Sequence, residues 1–277
     1  MVLTQKEVKA VYLGSTKVRP SWPALPNLCF TAESAWSTIK LSKSGSPTSV
    51  SLETSLDWIT WSSYTIWDTI TLSNIWDKVY WRNTSETDTL FSSWYTNNYY
   101  RFVMTGSIAW SWDVSYLLNK NWTDTLGWDF IFAKLFSGCT VLTTSPELKF
   151  TTLTSYCYYW MFISCSSLTT APHISATTLA SNCCYGMFEG CTNLESLPIL
   201  SATTLSTYCY TGMFNGCSKI KISDTQTWEY QTPYRIPSVW TWTYATSALN
   251  DMFYDTWWTK TWTILINTTY YTSNTLV

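Results

Sequence analysis

Charge is scarce in this sequence. Of its 277 residues, only 12% are Asp, Glu, Lys or Arg, about half the ~25% of an ordinary soluble domain. The net charge is −2, so no basic surface exists to neutralise a phosphate backbone, and nucleic acid is excluded as a partner. No run approaches the ~20 apolar residues a membrane-spanning helix requires. Histidine occurs once, at His173. It follows Pro172 with no partner set for a catalytic triad beside it, and it reads as an exposed loop residue. G-x-x-x-x-G-K-[ST], G-x-S-x-G and H-E-x-x-H are all absent. No pair among the 18 acidic residues stands out as the two carboxylates of a glycan-degrading enzyme. Neither a cofactor nor a metal is expected, and the chain reads as a non-enzyme.

Glycine is also short. There are nine, where ~7% of the chain would be usual. The first twenty residues have neither an apolar h-region nor a small-residue cleavage site. The expectation is a protein whose secretory signal stands outside this sequence, or one that reaches a virion by assembly.

What is plentiful is Ser, Thr, Tyr and Trp. Thr, Tyr, Trp, Ile and Val favour strands, so the chain is expected to be mainly β. Between residues 27 and 105, seven extended segments alternate with turn signals: LCFTAES, STIKLSK, SVSLETS, SSYTI, DTITLSNI, DKVYW and YRFVMTGSI. Short strands at such spacing predict a β-sandwich. Residues 1–26, with three prolines, read as a tail or linker, and 106–128 as a connector.

Beyond the connector the chain repeats itself. Cys139, Cys165, Cys191 and Cys217 stand 26 residues apart, as do Cys157, Cys183 and Cys209. Phe136, Phe162, Phe188 and Phe214 keep the step, and so do Leu142, Leu168, Leu194 and Ile220. The unit is C-x-x-L-x-x-x-P-x-[LI] followed by T-T-L-x-x-x-C-x-x-x-M-F-x-x-C. Its first half predicts a short strand closed by Pro. Its second half, with a Thr cap and apolar residues three or four apart, predicts a turn of α- or 3₁₀-helix. One strand and one short helix per 20–29 residues is leucine-rich-repeat geometry. The solenoid is expected over 129–277, with an inserted loop at 223–248. DMFYDT (251–256) and TWTILINTTYY (261–271) would form its C-terminal cap.

"GCTNLESLPIL" with "MFEGC" resembles the BspA-type leucine-rich repeats of bacterial surface proteins and of some phage proteins. The resemblance covers about 129–222. It implies a surface or adhesion protein without catalytic residues, recognising a protein or glycan. The alternative is a phage virion or tail-fibre component.

Strand alternation names the candidate recognition face. If Leu142, Leu168, Leu194 and Ile220 point inward, then Thr143, Thr169, Glu195 and Lys221 point out. Two residues on, so do Ser145, Ala171, Leu197 and Ser223. For the cysteines, equivalent residues of adjacent coils stack ~4.8 Å apart, inside the ~4.4–6.8 Å Cα range of disulfides. Stacked side chains, however, point in parallel. The expectation is two ladders of buried thiols (139, 165, 191 and 217; 157, 183 and 209), with disulfides or a metal as the alternatives.

Nineteen tryptophans are an excess. Several precede Asp where strands should turn: Trp67, Trp76, Trp112 and Trp128. Trp58 follows Asp57 in the same setting. Turns favour Gly there. Likewise, Trp160 occupies the repeat position that holds Gly186 and Gly212. The 40–45-residue period of a WD-repeat propeller is absent. Three readings stay open: ligand-stacking residues, core aromatics, or UGA codons that the source cell reads as Gly. Trp61 and Trp81 lie inside strand-like stretches and read as genuine.

Overall fold

Each of the seven extended segments carries a strand. The computed structural model describes residues 11–13, 16–18, 28–88, 91–92, 97–111, 113–119, 125–195, 198, 200–202, 204–220, 245 and 247–256. Within them the protein is mainly β. The one helix among the described residues is a 3₁₀ turn, Val114–Leu117. β1 (Val11–Leu13) and β2 (Thr16–Val18) pair antiparallel, inside the segment expected to be a tail. There follow β3 (Leu28–Ala32), β4 (Ser37–Ser44), β5 (Leu52–Ser55) and β6 (Ser62–Ser63). Then come β7 (Ile70–Leu72), β8 (Lys78–Asn83), β9 (Tyr99–Thr105) and β10 (Ile108–Ser111).

They form two antiparallel sheets, β10-β3-β8-β5-β6 and β7-β4-β9. β10 falls in the stretch read as a connector, and its pairing with β3 makes that stretch part of the sheet. Period-two alternation buries Tyr100, Phe102 and Met104 on β9, and Val79 and Trp81 on β8. The sheets meet through these rings. Phe102 lies 5.0 Å from Phe30 and 5.2 Å from Trp81, centroid to centroid.

The 26-residue repeat folds as stacked coils. The first coil docks on the sheets. The Phe102 N–H donates to the Leu135 carbonyl and the Thr143 N–H to Ile108, at 2.9 and 3.0 Å. Phe102 then begins a column of rings. Phe102–Phe136, Phe136–Phe162, Phe162–Phe188 and Phe188–Phe214 are stacked at 5.3, 5.3, 5.5 and 5.6 Å. Phe253 continues it at 5.4 Å from Phe214. DMFYDT thus supplies a further coil after the inserted stretch. One apolar core runs from Leu28 to Phe253. Burying a Phe side chain is worth about 1.5–3 kcal/mol, so this column is a large share of what holds the coils in register. Residues 223–244 and 246 of the inserted loop and the expected closing strand at 261–271 lie outside the described residues.

The predicted turn of helix is not what forms. In the second coil Tyr156, Trp160 and Ser164 have φ of 58°, 51° and 59°. A left-handed residue at every fourth position breaks the uniform negative φ of a helix. The chain becomes a ribbon of linked turns instead. Odd-numbered N–H groups stay inside the coil: Tyr159 donates to the Tyr156 carbonyl and Met161 to Tyr158. Even-numbered N–H groups leave it: Tyr158 donates to the Cys183 carbonyl, Trp160 to Tyr185 and Phe162 to Met187. Buried backbone polar groups need partners, and here the neighbouring coil supplies those the turns leave over. The expected strand halves are reduced to single parallel bridges, Leu148 to Ile174 and Ile174 to Leu200.

Candidate functional site

Those bridges bring equivalent residues of adjacent coils side by side. Leu142, Leu168, Leu194 and Ile220 are all fully buried; of the residues after them, Thr169 and Glu195 are exposed and Thr143 is half-buried. Between the first two coils a groove of about 500 Å³ opens, lined by Thr144–Lys149, Thr170–His173 and Ser175. Its floor is apolar, from Leu148, Ala171 and the two prolines. Its rim is polar.

Of the candidate residues, Ser145 and Ala171 line this groove. Ala171, expected to face outward, is 8% exposed and belongs to the floor. Thr143 is half-buried, and its hydroxyl donates to the Glu33 carboxylate at 2.8 Å. That contact ties the coil to the sheet rather than leaving the hydroxyl for a ligand. Thr169 is exposed, and its carbonyl accepts from the Glu195 N–H at 3.0 Å. Glu195 is exposed too, with Lys219 Nζ 3.8 Å from its carboxylate. Leu197, Lys221 and Ser223 lie outside the described residues.

The sequence reading missed the groove's charged end. Asp113 is buried, and its carboxylate accepts from the Ser115 N–H at 2.9 Å, capping the 3₁₀ turn. Lys149 Nζ lies 3.3 Å from Asp113 and 3.6 Å from Glu147. Partial burial pulls the Lys149 ammonium down, but the Asp113 and Glu147 carboxylates more than offset it and hold its pKa above the ordinary value. Asp113 was visible only as half of a Trp-Asp turn pair. Its bridge to Glu147 spans more than thirty residues and left no local signal. His173, exposed as expected, hydrogen-bonds Ser175 through Nδ1 at 3.1 Å.

All nine cysteines are free and buried. In the first ladder each thiol donates to a Phe carbonyl of the preceding layer. The distances are 3.1 Å for Cys139 to Phe102, Cys165 to Phe136 and Cys191 to Phe162, and 3.0 Å for Cys217 to Phe188. In the second ladder Cys157 donates to the Cys183 carbonyl at 3.8 Å. Burial pushes the thiols of Cys139 and Cys191 up to about 12, and raises Cys165 and Cys217 as well. A thiolate is the nucleophile and metal ligand, so these sulfurs are suited to packing rather than to chemistry. Among the described residues no three His, Cys, Asp or Glu side chains are grouped to hold a metal. Among them also, no helix is long and apolar enough to cross a membrane.

No family model, no curated protein and no solved structure matches this chain.

Proposed function

We propose that this chain is a recognition protein of the BspA-type leucine-rich-repeat kind: an N-terminal β-sandwich followed by a short solenoid. It acts without catalysis at a bacterial surface and binds an extended protein or glycan ligand across the solenoid's bridge-forming face. The observation that carries this reading is the groove between the first two coils. Its polar rim draws on equivalent positions, Thr144 and Thr170, on consecutive coils, and its floor on the equivalent prolines Pro146 and Pro172. A ligand lying across the coils would meet similar chemistry at each step, which is how repeat proteins bind extended partners. The apolar floor with few polar groups at its edge has the character of a ligand site.

Binding of the purified protein to a glycan array and to intact bacterial cells tests this. Thr170 and His173 are both exposed on the groove. The double variant Thr170→Arg, His173→Asp should lose at least about tenfold in affinity, or 1.4 kcal/mol, while its melting temperature stays within a degree or two. Undiminished binding by this variant would remove the groove from the account. Release of free sugar from the array would turn the reading to an enzyme. Retention on cells that needs assembled phage particles would turn it to a virion component.

A further inference from the structure

Among the described tryptophans two groups stand apart. Trp81 and Trp110 are 0% and 4% exposed and stand in the core beside Phe30 and Phe102. Their backbones are ordinary strand. Trp36, Trp58, Trp67 and Trp76 are different. Their φ values are 60°, 68°, 81° and 74°. Trp36, Trp67 and Trp76 are 72%, 50% and 67% exposed.

Among the described residues from 28 to 119, every one with positive φ is either one of these four tryptophans or a glycine, Gly45 or Gly106. Asn and Asp, the non-glycine residues that tolerate this region best, are not among them. Two of the tryptophans sit in hydrogen-bonded turns. Asp68 N–H donates to the Thr65 carbonyl at 3.0 Å, and Asp77 N–H to Asn74 at 3.2 Å. In both turns the tryptophan is the third residue with φ near +80°, the position where a type II turn requires glycine. At Trp67 the ring gains a distant contact with Lys40, whose Nζ lies 5.9 Å from its centroid; at an exposed site that is worth about 0.5–1 kcal/mol, against about 1–2 kcal/mol for the clash of Cβ with its own backbone.

From this we infer that positions 36, 58, 67 and 76 are glycine in the protein as its own cell makes it, encoded by UGA. Positions 81 and 110 are tryptophan, encoded by UGG. The exposed aromatic rings at the turn tips are then no ligand-stacking platform. Trp160 is not part of the inference. Its column also holds Lys134 and Asp251 at φ of 62° and 53°, so the ribbon imposes positive φ on whatever residue stands there. Its ring lies over Gly186, where an added Cβ would come within 2.4 Å of it.

Peptide mass spectrometry of the protein isolated from its source cells reads the four positions directly. Glycine at three or more of them, with tryptophan at 81 and 110, is the expected result. Tryptophan at two or more of the four overturns the inference, and so does glycine at 81 or 110. A second measurement needs no native material. The full chain carrying Trp36→Gly, Trp58→Gly, Trp67→Gly and Trp76→Gly should melt at a higher temperature than the chain with four tryptophans. A lower melting temperature for the glycine form would contradict it.

Discussion

The thiol of Cys165 donates to the carbonyl of Phe136, 3.1 Å away on the preceding coil. The same carbonyl accepts the Cys139 N–H at 3.0 Å. One acceptor therefore closes a turn within its own coil and joins that coil to the next. Cysteine suits the role because it packs as a small hydrophobe while keeping a weak donor.

Replacing Cys165 by Ala should remove that bond and leave a small void, costing about 1–2 kcal/mol. Ser166→Ala, one residue away and half-exposed, should stay within ~0.5 kcal/mol. Urea denaturation of both variants checks the contrast. Equal midpoints would mean that the thiol contributes nothing to the stack.

The raised thiols make stability pH-dependent at the alkaline end. Cys139 and Cys191 titrate near 12 in the fold, against 9.0 for an ordinary thiol. Above 9 the unfolded chain releases these protons while the folded chain keeps them. The unfolded state then binds fewer protons, so stability falls as pH rises. The contribution is intact below pH 9 and is lost progressively between 9 and 12, at about 1.4 kcal/mol per pH unit for each thiol. Denaturant midpoints measured from pH 8 to pH 10 should drop. A flat profile would mean that the thiols are not buried in the folded protein.

At the groove, Asp113→Ala should cost about 1–2 kcal/mol, because it removes the cap on the Ser115 N–H and the buried partner of Lys149. Lys149 is more than half exposed, so Lys149→Ala should cost no more than ~1 kcal/mol. Thermal denaturation of the two variants gives the order. A larger loss for Lys149→Ala would reverse the assignment of Asp113 as the residue that organises this end of the groove.

Much of this was legible in the sequence, for physical reasons. Strand alternation from 28 to 105 set the strands, since one face of each had to be buried. The repeat placed Phe136, Phe162, Phe188 and Phe214 in equivalent sites, and equivalent sites of a stack meet. The turn ribbon was misread as helix because C-x-x-x-M-F-x-x-C spaces its apolar residues close to a helical period. Burial in the second coil follows a strict four-residue step instead: Cys157 and Tyr158, Met161 and Phe162, then Cys165. A helix of 3.6 residues per turn would drift off that register. The groove was half legible. Alternation placed Ser145 on it but turned Ala171 outward, where the structure buries it in the floor; Asp113 joins its charged end through a long-range bridge that no local pattern encodes.

The coils of the 26-residue repeat stack on one another, each hydrogen-bonded to the next. Deleting residues 166–191 removes one whole repeat and joins Cys165 to Thr192 in register. If the stacking is as described, this shortened chain folds, unfolds cooperatively in urea and keeps buried thiols, with lower stability than the full chain. Deleting only half of that segment, 166–178, should abolish the cooperative transition, because it sets Phe and Cys columns out of line. Equal loss of cooperative unfolding in both deletions would contradict the stack on which the proposed recognition face depends.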